Sequence, residues 1–129
     1  MSTPLQIIQD HYAASAKGDL AGMLAPLSAD VTWTEMAGFP YAGTYIGPQA
    51  VRTHVFDRIN TEWANFQATP AHFVCEGQEV VAFGTYSGTY RASGKAMRAR
   101  FVHHWTFAEH VVVRFEQYVD TQLVASALS

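Results

Sequence analysis

Between Met97 and Phe107 the chain alternates with a period of two. Met97, Ala99, Phe101, His103, Trp105 and Phe107 form an apolar, aromatic set, and Arg98, Arg100, Val102, His104 and Thr106 form a basic and polar one. That alternation predicts a strand with one buried face. It sets His103 in the middle of an aromatic wall and turns His104 the other way. The rest of the pattern predicts what encloses that wall. Ser2-Thr3-Pro4 opens a helix, with proline placed early where its missing N–H costs nothing, and Leu5, Ile8, Tyr12 and Ala16 recur at helical spacing up to Gly18. Asp19 caps a short second helix carrying Leu20, Met23, Leu24 and Leu27, with Pro26 placing its end soon after.

From Asp30 to Glu35 the chain alternates again, and Val31, Trp33 and Glu35 share a face. Met36 to Gly47 is rich in Gly, Pro and Tyr and reads as a loop able to fold over something. Pro48 starts a helix with Val51, Val55, Ile59 and Trp63 on one stripe. Strands follow over 68–75, 80–91, 97–107 and 111–120, joined by short turns. In the last of them Val111, Val113, Phe115, Gln117 and Val119 share a face, and 121–129 forms a short, helix-compatible tail. Helices followed by consecutive hairpin-joined strands predict an α+β fold with a mostly antiparallel sheet. The sheet must curl around the helices to bury both Trp33 and Trp105, and a curled sheet closed by helices leaves a blind pocket.

Composition narrows the function classes. The 129 residues suit one domain over 1–129, 49% hydrophobic and only 15% charged. A net charge of −3 without a basic block argues against nucleic acid as a partner. No apolar run reaches the roughly 20 residues needed to span a bilayer, so no membrane partner is expected. The N-terminus lacks a secretory pattern, and one cysteine, Cys75, forms no internal disulfide; both fit a cytoplasmic location. Six histidines raise the question of metal. Adjacent His103 and His104 face opposite ways in a strand, and no His-x-His or His-x-x-x-His pair exists, so neither a metal nor another cofactor is expected.

Glu35 and His103 are the candidate catalytic pair. A carboxyl on an apolar strand face is desolvated and its pKa rises toward the range useful to a base; the plainer alternative is a strand-end glutamate facing water or an arginine. An imidazole among aromatics can donate to a developing oxyanion, or it is a core histidine satisfied by a neighbour such as Gln117. The candidate substrate-binding set is His11, Tyr12, Trp33, Tyr41, Tyr45, Phe101, Trp105 and Gln117. Of His11 and Tyr12, one should face inward; periodicity favours Tyr12. Tyr41 and Tyr45 are lid candidates because they lie in the Gly/Pro-rich loop. The ligand implied is a small hydrophobic molecule. The polar face of Arg98, Arg100 and His104, with Arg114 and Glu116, suggests a homodimer through the sheet.

The segments HYAASAKGDLAGMLAPLSADVTWTE, YAGTYIGPQAV and FVHHWTF…VVVRFEQYVDT resemble the SnoaL-like family, in the superfamily of ketosteroid isomerase, limonene-epoxide hydrolase, scytalone dehydratase and nuclear transport factor two. The resemblance implies a conical, barrel-like α+β fold and acid/base chemistry of isomerase, cyclase or lyase type, without a cofactor, on a carbonyl-bearing apolar molecule; the alternative within the same fold is a non-catalytic binding or dimeric interaction module. It lays the isomerase's general base on Glu35, and its two oxyanion donors on His11, one place before Tyr12, and on His103. Both donors are thus imidazoles here. The epoxide-hydrolase positions fall on Phe101, His103 and Gln117, where the arginine and both carboxylates of those enzymes are missing.

Overall fold

The computed structural model describes residues 2–129. Helix α1 (Pro4–Lys17) starts from a capping box: Thr3 Oγ1 accepts from the Gln6 N–H, and Gln6 Oε1 accepts from the Thr3 N–H. Gly18 ends it at φ 71°, a left-handed conformation that suits glycine. Its inward face is Ile8, His11, Tyr12 and Ala14. Ala16, expected on that face, is exposed, because eight residues on from Ile8 the helix has turned about 80° past it. Both His11 and Tyr12 are buried, so the expected choice between them does not arise. Asp19 caps α2 (Leu20–Leu24) by accepting from the Gly22 N–H.

Strand β1 (Leu27–Glu35) begins earlier than expected: Leu27 pairs with Val112 instead of completing the α2 stripe. Val31, Trp33 and Glu35 alternate inward as the pattern required. The expected loop 36–47 contains a short edge strand, β2 (Gly43–Ile46), antiparallel to β1. The next helix is α3 (Pro48–Val51), a widened turn Arg52–Phe56, then α4 (Asp57–Glu62). In the widened turn the Asp57 N–H reaches back five residues to the Arg52 carbonyl, a π-type bond. Trp63, expected on the helical stripe, instead has extended backbone (φ −120°) and opens β3 (Trp63–Glu76).

Strands β4 (Glu79–Tyr90), β5 (Ala96–Ala108) and β6 (Val111–Val119) continue the meander, and α5 (Thr121–Ala127), capped by Asp120, packs Val124 and Ala127 inward. Between β5 and β6, Glu109 (φ 50°) and His110 (φ 71°) both take positive φ, as a two-residue type I′ hairpin requires. The curved sheet has the order β2-β1-β6-β5-β4-β3. Every pair is antiparallel except β1 with β6. The expected α+β fold with a mostly antiparallel sheet is therefore present, with one parallel pair and open edges rather than a closed barrel.

One register shift corrects the reading of β6. Thr106 pairs with Arg114 but Phe107 with Val112, leaving Val113 as the extra residue of a bulge. The inward residues are thus Val112, Phe115 and Gln117, while Val111 is 37% exposed. The core between sheet and helices centres on Trp33, Trp105 and Phe115, with Trp33 stacked on Phe115 at 3.7 Å between centroids.

Candidate active site

The parallel pairing of β1 with β6 builds the site. It puts Glu35 beside Gln117, which pairs in turn with His103, which pairs with Ala82. These residues form one cross-strand row on the inner face. A cavity of about 480 Å³ lies over it. Its floor includes Trp33, Glu35, Tyr86, His103, Trp105 and Phe115 from the sheet. Helix α1 contributes His11 and Tyr12, and α2 contributes Met23. The widened turn and α4 contribute Val55, Phe56, Ile59 and Asn60. The exposed lining residues Asp57, Asn65 and Arg91 mark its mouth.

Glu35 is 4% exposed, and its carboxyl has a single protein partner: the Trp33 indole N–H donates to Oε2 at 2.7 Å. Oε1 has none among the described residues. Burial pushes the Glu35 pKa up to about 8, against the smaller opposing effect of the Trp33 N–H. At pH 7 this carboxyl is mostly a neutral acid.

His103 is 5% exposed and bonded at both ring nitrogens. The Tyr12 hydroxyl lies 2.6 Å from Nδ1 and the Tyr86 hydroxyl 2.6 Å from Nε2. Burial holds the imidazole well below its usual pKa, with His11 adding to the shift, so it is neutral. Each tyrosine has a second partner: the Trp105 N–H donates to the Tyr12 oxygen at 3.1 Å, and the Gln117 amide N–H to the Tyr86 oxygen at 3.3 Å. The Met36 N–H donates to Gln117 Oε1 at 3.2 Å, which fixes which end of that amide faces Tyr86. Both phenols are held above their usual pKa, chiefly by burial. His11 is pushed down to about 4 by burial. Its Nδ1 lies 3.0 Å from the Met23 carbonyl, which can only accept, so Nδ1 carries the proton and Nε2 is a bare acceptor.

Of the expected residues, Glu35, His103, His11, Tyr12, Trp33 and Trp105 line the cavity. Phe101 and Gln117 stand behind the lining: Phe101 stacks on His103 at 4.0 Å, and Gln117 holds Tyr86. Tyr41 and Tyr45 are not cavity residues and form no lid. The Tyr41 hydroxyl donates to Glu62 at 2.7 Å and accepts the Trp63 N–H at 3.0 Å, while the Tyr45 hydroxyl donates to the Tyr41 carbonyl at 2.8 Å. They anchor the loop because β2 ties it to the sheet edge. Tyr86 was not among the expected site residues. Its signal was its phase with Val80, Ala82 and Gly84 along β4, all turned inward. Gly84 matters for the same row: a Cβ there would lie 2.5 Å from the Phe101 ring and 2.4 Å from the Thr69 carbonyl. His104 is on the outer face, 2.5 Å from Glu79 and 3.5 Å from Glu116. Among the described residues, no three His, Cys, Asp or Glu side chains converge as metal ligands, and no helix is long and apolar enough to cross a membrane.

The family model described as a SnoaL-like domain matches residues 8–115. The chain belongs to the SnoaL-like family. No curated protein matches it. This SnoaL-like chain is similar to an NTF2-like protein from Burkholderia thailandensis E264, at 43% identity with 100% of this chain and 99% of that one covered and a TM-score of 0.97. An NTF2-like protein of unknown function from Burkholderia pseudomallei K96243 is 30% identical, with coverage of 100% and 99% and a TM-score of 0.91. TerC, co-crystallised with polyporic acid, is 26% identical over 98% of each chain with a TM-score of 0.87. The SnoaL-like chain thus shares its fold with NTF2-like proteins, one of them of unknown function, and with a protein co-crystallised with a small organic molecule.

Proposed function

We propose that the cavity is the active site of an acid–base enzyme that isomerises, cyclises or eliminates from a compact, carbonyl-bearing apolar molecule. The observation that carries this reading is Glu35: a buried carboxyl on the floor of the chamber, with one oxygen lacking any protein partner among the described residues. A pKa of about 8 leaves a working fraction of carboxylate near neutral pH and makes that carboxylate strongly basic. Oε1 takes a proton from the carbon next to the carbonyl. The C–H electron pair moves into the carbonyl, whose oxygen becomes an enolate. That oxygen accepts a hydrogen bond from a tyrosine hydroxyl of the Tyr12–His103–Tyr86 group. Glu35 then returns the proton to a second carbon, or to a leaving group.

His103 serves this chemistry indirectly, because both its nitrogens are already bonded to tyrosines. The residues named need no cofactor for these steps. That TerC, 26% identical to this chain, was co-crystallised with polyporic acid supports a small organic molecule as the ligand here.

The test is a screen of small ketones and polyketide-like compounds, followed by Glu35→Gln. The variant is expected to lose about 10²- to 10⁴-fold in kcat while keeping its fold. Near-normal turnover removes Glu35 as the base. Tight ligand binding by the wild type with no turnover of any bound compound makes the chamber a carrier site instead.

A further inference from the structure

We infer that Tyr12, His103 and Tyr86 form a tautomeric relay that offers the cavity one hydroxyl donor at a time, matched to a ligand carrying both a carbonyl and a conjugated hydroxyl. The inference rests on the reading of the cavity as a carbonyl-binding site and adds the second oxygen of the ligand.

The argument is a count of protons. A neutral imidazole has one N–H and one bare nitrogen. It joins two hydroxyls at 2.6 Å each, so it donates to one tyrosine and accepts from the other. The outer partners, the Trp105 indole and the Gln117 amide, both arrive as N–H donors and take a lone pair from each phenol oxygen. Neither can receive a tyrosine proton, and the Gln117 amide cannot turn over without losing the Met36 N–H. Three protons therefore serve two links, and one hydroxyl hydrogen is left over. With the proton on Nε2, Tyr12 donates to Nδ1, Tyr86 receives Nε2–H, and the Tyr86 O–H is released. With the proton on Nδ1, the pattern reverses and the Tyr12 O–H is released. Both tyrosines line the cavity.

In either state the tyrosine that keeps its proton on His103 retains one spare lone pair. The wall thus presents one donor and one acceptor that exchange places together. A conjugated hydroxycarbonyl compound complements both states. Its carbonyl oxygen faces the released O–H, and its hydroxyl faces the spare lone pair. When the released hydrogen passes to the carbonyl oxygen, the His103 proton refills that tyrosine. The other tyrosine's proton passes to His103, and the ligand hydroxyl refills the second tyrosine. Four protons move, no net charge appears, and the ligand has exchanged its carbonyl and hydroxyl ends. His103 is a positioning residue in this scheme.

Two measurements on the whole protein test it, and neither uses turnover or Glu35. They can therefore fail while the acid–base reading stands, or succeed while it falls. First, ¹⁵N NMR of histidine-labelled protein reads which His103 nitrogen is protonated. Tyr86→Phe is expected to leave the proton on Nδ1, and Tyr12→Phe to leave it on Nε2. If either variant does not fold, fluorotyrosine at the same position keeps the shape and makes that hydroxyl the better donor. The proton should then move to the nitrogen facing the other tyrosine. The same nitrogen protonated in both variants, or a cationic His103 at pH 6, overturns the relay. Second, binding of 4-hydroxyacetophenone at pH 6 is compared with acetophenone and 4-methoxyacetophenone. The hydroxy compound is expected to bind about tenfold more tightly, the worth of one satisfied hydrogen bond. Equal binding, or no binding, overturns the ligand class.

Discussion

The burial of Glu35 makes a demand on stability that can be measured without any substrate. The perturbation is Glu35→Gln, which keeps the shape of the side chain and an oxygen to accept the Trp33 N–H. In the unfolded chain the carboxyl ionises near its ordinary value of 4.5, and in the folded chain near 8. The raised pKa means that the folded state holds the proton more tightly. Its contribution to stability is fully present below pH 4.5, where both states are protonated. It is lost as pH rises toward 8, at about 1.4 kcal/mol per pH unit. At pH 7 the wild type has lost about 3 kcal/mol that the glutamine variant keeps. For a domain of this size that is a melting temperature about 10 °C higher for the variant. The assay is urea denaturation of both proteins at pH 5, 6, 7 and 8, reading the difference in midpoint at a common slope. His11 and His103 lose stability in the opposite direction, as pH falls below 6.5, but they are present in both proteins and cancel in the difference. A difference that stays flat across this range, or a variant less stable at pH 7, refutes the claim that burial holds the Glu35 carboxyl protonated with no cationic partner.

Two further outcomes follow from the neighbours of the same row. Trp33→Phe removes the donor that restrains the Glu35 pKa; the carboxyl stretch followed by infrared titration should reach its midpoint above the wild-type pH, and a lower midpoint contradicts the assignment. Gly84→Ala places a methyl 2.4 Å from the Thr69 carbonyl and 2.5 Å from the Phe101 ring. It should cost about 1–3 kcal/mol by overpacking, and unchanged denaturant stability would show that Phe101 does not rest on the glycine.

Strict alternation made the floor of the site legible. Residues 97–107 and 30–35 each show one clean period of two, and the inward sets, Phe101, His103, Trp105 and Phe107 with Val31, Trp33 and Glu35, are those the pattern selects. The geometry that joins them was not legible, because it depends on long-range pairing. Nothing local says that β1 lies parallel to β6, yet that pairing places Gln117 between Glu35 and His103. Local irregularities also hid information. A one-residue bulge at Val113 reverses which valines of β6 face inward. The four-residue edge strand β2 was too short to stand out from its Gly/Pro-rich loop. Tyr41 resembled a lid residue by composition, but its hydroxyl serves Glu62 and Trp63, a role set by tertiary contacts alone. Tyr86 was readable in principle, from its phase along β4, once the inward side of that strand was known.

The widened turn at Arg52–Phe56 holds one residue more than a regular helix would, and Val55 and Phe56 both reach the chamber from it. Shortening this turn by one residue would rotate everything after it by about 100°. Ile59 and Asn60 would swing off the wall, and Glu62 would leave the Tyr41 hydroxyl. The carboxyl and the imidazole, rooted in the sheet, would not move. A deletion here would remodel the room a guest molecule occupies while sparing the groups that would act on it.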